Sequence, residues 1–129
     1  MTSRMIASGV LALLLAAGSA WAHHNMSAIF DFNNRVTMAG TLAKIDWRNP
    51  HIELVVDAKD GQSVQTWRIE GPAPGFFRDR DISRADFEGA VGKTVTFEAS
   101  RARDGSASGL LRTMTLPGGK LVSACPQNC

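Results

Sequence analysis

Several things that would announce an activity are missing from these 129 residues. There is no Gly-rich phosphate loop, and no Ser/His/Asp set falls on recognisable elements, so nucleotide hydrolysis and triad chemistry have no carrier. Histidine is scarce, with three in the chain: His23, His24 and His51. Cysteine is scarcer, and both copies, Cys125 and Cys129, lie in the last five residues. No charge of either sign dominates. No internal repeat and no low-complexity linker breaks the chain, and after residue 22 no long apolar run follows.

What is present begins with a leader. Arg4 supplies a positive start, Ile6 to Ala17 is apolar but too short to span a bilayer, and Ala20-Trp21-Ala22 reads as a cleavage site. The expectation is a signal peptide over 1–22, cleavage after Ala22, and a periplasmic or secreted protein with no membrane span. Cleavage removes one of the 14 basic residues and none of the 12 acidic ones, leaving a formal charge near +1. That gives no electrostatic reason to expect a nucleic-acid partner. The remaining chain suffices for one domain with one modest core. In an oxidising compartment Cys125 and Cys129 are expected to pair as a disulfide, with redox or metal chemistry as the sharper alternative.

The pattern then reads as strands. Residues 23–34 are expected to be an arm, with Ile29, Phe30 and Phe32 tucked against the domain and Asn33-Asn34 as a turn. Val36 to Trp47 is a long strand whose buried parity switches between Leu42 and Ile45, which calls for a bulge or bend, and Gly40 permits one. Trp47-Arg48-Asn49-Pro50-His51 is the turn leaving it. His51 to Ala58 and Ser63 to Glu70 form a hairpin around Asp60-Gly61. With those two as the central pair, Leu54 faces Trp67, Ile52 faces Ile69, Glu53 meets Arg68 and His51 meets Glu70. Phe76-Phe77 and Ser83-Arg84-Ala85-Asp86, a capping box with Asp for Glu, suggest short helical turns. Lys93 to Ser100, with Val95, Phe97 and Ala99 inward, is the fourth strand. Leu110 to Leu116, with Leu110, Met114 and Leu116 inward, is the fifth, and Lys120 to Val122 is a short edge.

Three strands, a helical connection and two or three more strands describe an all-β, OB-like small barrel of five or six strands, with a short helix between strands 3 and 4. An open sandwich is the other arrangement the order allows. The barrel is expected over residues 35–122, with a tail over 123–129.

Cleavage after Ala22 makes His23 the first residue. Its α-amine and imidazole Nδ1 reach one cation, and His24 or His51 supplies a third nitrogen, a set suited to copper before zinc. Glu70 is the outer carboxylate that orients His51. Met26 and Met38 are soft ligands favouring Cu(I). The plainer reading is a mobile terminus and a histidine that only holds its turn. Trp47 is the one aromatic left open as a stacking platform for a sugar or base.

The His-His start, Gly40-Thr41, Asn49-Pro50-His51, Trp67 to Glu70 and Gly92-Lys93-Thr94-Val95 together resemble an uncharacterised family of small exported bacterial proteins. Its mature chains open Ala-His-His-Ser and carry an Asn-Pro-His turn. Here the opening is His23-His24-Asn25-Met26-Ser27, with the serine displaced. The resemblance runs from about Ala22 to Val122 and leaves the cysteine tail outside. It implies export and a fold without supplying an activity. The leading expectation is a non-enzymatic binding or accessory protein. The alternatives are a structural or protein-interaction module of the envelope with an envelope-protein partner, and an oligosaccharide- or nucleotide-binding module.

Overall fold

The computed structural model describes residues 26–125. Residues 26–29 make a helical turn. The elements that follow are β1 (Phe30–Asp46), β2 (Glu53–Asp60), β3 (Ser63–Glu70), α1 (Pro74–Arg78), α2 (Arg84–Glu88), β4 (Thr94–Ala102), β5 (Ser108–Thr115) and β6 (Leu121–Ser123).

β1 is long enough to serve two neighbours. Its first half pairs with β4 and its second half with β2, both antiparallel. β2 pairs with β3, β4 with β5, and β3 runs parallel to β5 over Arg68–Glu70. The hydrogen bonding therefore closes as β1-β2-β3-β5-β4-β1, with both short helices between β3 and β4 and β6 added at the edge of β5. This is the all-β, OB-like barrel that the strand order suggested. Closure removes the free sheet edges that an open sandwich would leave.

The core is built from the alternating faces. Leu42, Leu54, Val56, Trp67, Ile69, Val95, Phe97 and Met114 are all essentially inaccessible. Trp67 and Phe97 meet with ring centroids 5.8 Å apart, across the barrel interior. α1 and α2 close one end by inserting Phe77 and Phe87, both fully buried. Proline in the first turn of α1 suits its start, since that position needs no backbone donor. At α2 the Asp86 carboxylate accepts from the Ser83 N–H at 2.7 Å and its hydroxyl at 3.0 Å, forming the expected capping box.

Several local expectations need correction. The β2–β3 turn centres on Gly61 and Gln62, because Asp60 pairs with Ser63. Gly61 supplies the positive φ of 63° at the first central position. Leu54 therefore pairs with Ile69, Val56 with Trp67 and Glu53 with Glu70. The shift is two residues, so every side chain keeps its face. The Glu53–Arg68 ion pair survives as a diagonal contact, with Arg68 Nη2 donating to both carboxylate oxygens at 2.8 and 2.9 Å.

The parity switch in β1 is a bulge at Ala43, between Leu42, opposite Val56, and Lys44, opposite Val55. Gly40 does something else. A Cβ there would meet the Asp57 carbonyl oxygen at 2.6 Å, so glycine allows β2 to approach closely where β1 pairs on both sides. A second bulge at Arg112 lies between Leu111, opposite Ala99, and Thr113, opposite Glu98. It puts Leu111 rather than Leu110 in the core. The expected arm is already strand from Phe30, which is 2% exposed and pairs with Ala102, so Asn33-Asn34 is an irregularity within β1 and not a turn. β2 begins at Glu53, leaving His51 in the preceding loop.

Candidate functional site

His51 follows the Asn49–Pro50 peptide, which is cis, and leads into Ile52, a fully buried residue. Ile52 extends the β2–β3 pairing past the strand ends. Gly71 N–H donates to its carbonyl at 2.9 Å, and Ile52 N–H donates to the Pro72 carbonyl at 3.2 Å. Gly71 is needed for that closeness, since a Cβ would meet Ile52 Cγ1 at 2.7 Å.

This clamp sets the histidine. His51 Nδ1 lies 3.2 Å from the Gly71 carbonyl oxygen. A carbonyl only accepts, so Nδ1 is the donor, and in the neutral ring that tautomer leaves the lone pair on Nε2. Nε2 has no hydrogen-bond partner among the described residues. Glu70 Oε1 comes to 3.6 Å from Nδ1, beyond the carbonyl. The sequence brings His51 and Glu70 together by direct strand pairing. The structure brings them together across the loop, with Glu70 opposite Glu53. Arg68 neutralises Glu53, whereas Glu70 has no lysine or arginine partner among the described residues.

A cavity of about 230 Å³ opens beside the ring, lined by His51, Phe32, Pro72, Leu110, Arg112 and Cys125 among others. Phe32 is from the start of β1, and Cys125 is the last described residue. Cys125 Sγ lies 3.7 Å from the Arg112 carbonyl oxygen. Sequence reasoning missed the Gly71 carbonyl, Phe32 and Cys125 as neighbours of His51. The first could have been found from the Pro-flanked glycine after β3, and the other two carry no local signal.

The start of the described chain is tied down. Arg103 Nε donates to the Ser27 carbonyl at 2.9 Å, and Arg103 N–H donates to the Ile29 carbonyl at 2.8 Å. His23 and His24 lie outside the described residues, as do the leader, the cleavage site and Cys129. Among the described residues no group of three or more His, Cys, Asp or Glu is arranged to hold a metal ion. Of the two methionines named as soft ligands, Met38 packs beside the core on β1 and Met26 begins the helical turn. No helix among the described residues is long and apolar enough to cross a membrane.

Trp47, the ring left open as a stacking platform, is half-buried in an aromatic plug. It lies 5.6 Å from Phe77 and 5.5 Å from Phe87, and Phe76 meets Phe77 edge-on at 5.4 Å. Its contacts are with the helices that close the barrel.

One family profile matches this chain, over residues 11–112. The chain belongs to DUF6152, a family of unknown function. The DUF6152 match spans β1 to most of β5, and so contains His51, Gly71 and Glu70. It ends before β6 and the cysteines. No curated protein and no solved structure matches the chain.

Proposed function

We propose that this DUF6152 protein is an exported, non-enzymatic binding or accessory protein whose working end is the His51 cavity. In this reading the leader over 1–22 is removed, and His23, with His24 or His51, supplies nitrogens to a transition metal, copper before zinc. Glu70 adds negative charge, and the Gly71 carbonyl holds the ring so that Nε2 faces the ligand. Cys125 and Cys129 pair as a disulfide in the oxidising compartment.

The observation that supports the reading is the Nδ1 contact with Gly71, which in the neutral ring directs the lone pair of Nε2 away from the carbonyl and toward a ligand. Phe32 on the wall of the same cavity supports it, because β1 starts on the His51 side. Met26 is three residues from His23, about 10 Å of extended chain. The test is metal content of the protein purified from the periplasm, followed by Cu(II) titration watched by EPR. Nitrogen hyperfine structure that is lost in both His23→Ala and His51→Ala supports the site. Metal-free protein with no Cu(II) affinity overturns it and leaves a structural or interaction module.

A further inference from the structure

A second concavity lies away from His51, between the first half of β1 and the tip of the β2–β3 hairpin. This groove encloses about 820 Å³, and its lining includes Val36, Met38, Lys59, Val64, Trp67 and Arg101. Val64 is 65% exposed and sits at the hairpin end. Arg101 sits at the other end. It pairs with Gly109, which in turn pairs with Ile69 of β3. On β4 it follows Val95, Phe97 and Ala99 in the inward-facing parity, so a cation occupies a core-side position at the barrel mouth.

Arg35, Arg68 and Arg103 each pair with a carboxylate. Arg101 makes no ion pair among the described residues. Its guanidinium carbon instead lies 5.3 Å from the Trp67 ring centroid. Trp67 is 1% exposed, and its Nε1–H has no acceptor among the described residues. Buried N–H groups nearly always have a partner, so this one needs an explanation. An unpaired guanidinium and an orphaned indole N–H are both donors, and both residues line the groove. The groove's carboxylates belong to the hairpin: Asp60 ends β2, and Asp57 accepts from the Thr66 hydroxyl at 2.7 Å. Between the two ends Val36 and Met38, beside the core, form an apolar strip flanked by Thr37, Thr41 and Thr94.

We propose that this groove binds an aliphatic carboxylate, its head on Arg101 and the Trp67 indole N–H and its chain laid over Val36 and Met38 toward Val64. The arginine over the ring is the flexible part. Binding requires that, as the guanidinium turns to the anion, the Trp67 ring also tips its buried indole edge toward the groove, so that one carboxylate accepts from both donors. Nothing in this site involves His51, so it stands or falls separately from the metal reading.

The probe is decanoate, followed by ¹⁵N–¹H NMR of the full chain, with the Trp67 indole resonance assigned among the three tryptophans using Trp21→Phe and Trp47→Phe. Decanoate below its micelle threshold is expected to move the Trp67 Nε1–H signal downfield in a saturable way. Decanol and decyltrimethylammonium are expected to leave it in place. Arg101→Gln is expected to weaken decanoate by about tenfold or more. An unmoved Trp67 signal overturns the proposal, as does decanol binding as tightly as decanoate. Unchanged affinity in a folded Arg101→Gln overturns it too, and if that variant does not fold, the three-ligand series on the unaltered protein decides alone.

Discussion

The imidazole of His51 donates from Nδ1 to the carbonyl of Gly71 at 3.2 Å, and this contact turns Nε2 away from the carbonyl. On the proposed metal reading, His51→Ala is expected to lower Cu(II) affinity by at least about tenfold, since losing a ligand outweighs losing its outer partner. Glu70→Gln is expected to have the smaller effect, because Glu70 is 3.6 Å away and acts by charge. Competition titration against a chelator of known affinity measures both. Equal losses in the two variants would contradict this ranking.

Gly71→Ala tests the clamp behind the histidine. The new methyl carbon meets Ile52 Cγ1 at 2.7 Å, and Ile52 is fully buried. Overpacking of this kind destabilises by about 1–3 kcal/mol. Urea unfolding should show a lower midpoint with an unchanged slope. The Gly71 carbonyl shifts with its backbone, so Cu(II) affinity is expected to fall in the same variant. Full stability in Gly71→Ala would mean that Ile52 yields more easily than its burial implies.

How much of this was legible in the sequence depends on how far apart the partners lie. The barrel was legible, because the strand order and the alternation of Val95, Phe97 and Ala99 are short-range patterns. The hairpin was legible to within two residues. Asp60-Gly61 marks the turn, but whether glycine takes the first or the second central position follows from its φ, which the dipeptide does not state. The bulges at Ala43 and Arg112 come from barrel closure rather than from a residue preference. That is why Gly40 was the obvious candidate for a bend and Ala43 the actual site. Around His51, Glu70 was reached through a mistaken register that nonetheless joined the right loop to the right strand end. Phe32 and Cys125 arrive from opposite ends of the chain, and only the closed ring brings them to the histidine.

Trp47 separates a structural ring from a binding ring. It packs on Phe77 and Phe87, which close the barrel end. Trp47→Ala is therefore expected to destabilise by about 3 kcal/mol, within the range for removing a large aromatic from a packed cluster. Trp47→Phe should recover most of that loss, since a smaller ring still meets Phe77. Thermal unfolding compares the two. A sugar or nucleotide that quenches Trp47 fluorescence without changing stability would restore the stacking-platform reading.

The last prediction concerns the other end of the helical connection. Lys120, in the β5–β6 turn, donates to Asp86 Oδ1 at 2.8 Å and to the Asp81 carbonyl at 2.9 Å, tying the edge of the sheet to α2. The Lys120 ammonium, and after it the Ser83 backbone N–H, hold the Asp86 carboxyl below its ordinary value of 3.8. A carboxylate depressed in the folded state binds protons more readily when unfolded. Its contribution is therefore complete above the unfolded value and disappears as pH falls through the lower folded one. Asp86→Asn should reduce stability by a constant amount from neutral pH down to about pH 5. The difference from the unaltered protein should then shrink below about pH 4 and vanish at lower pH. Because the pair is largely solvent-exposed, the loss should also diminish in high salt. Denaturant unfolding of both proteins across that pH series checks the sign. A gap that stays constant through acidification would mean that Asp86 acts through its shape at the α2 cap and not through its charge.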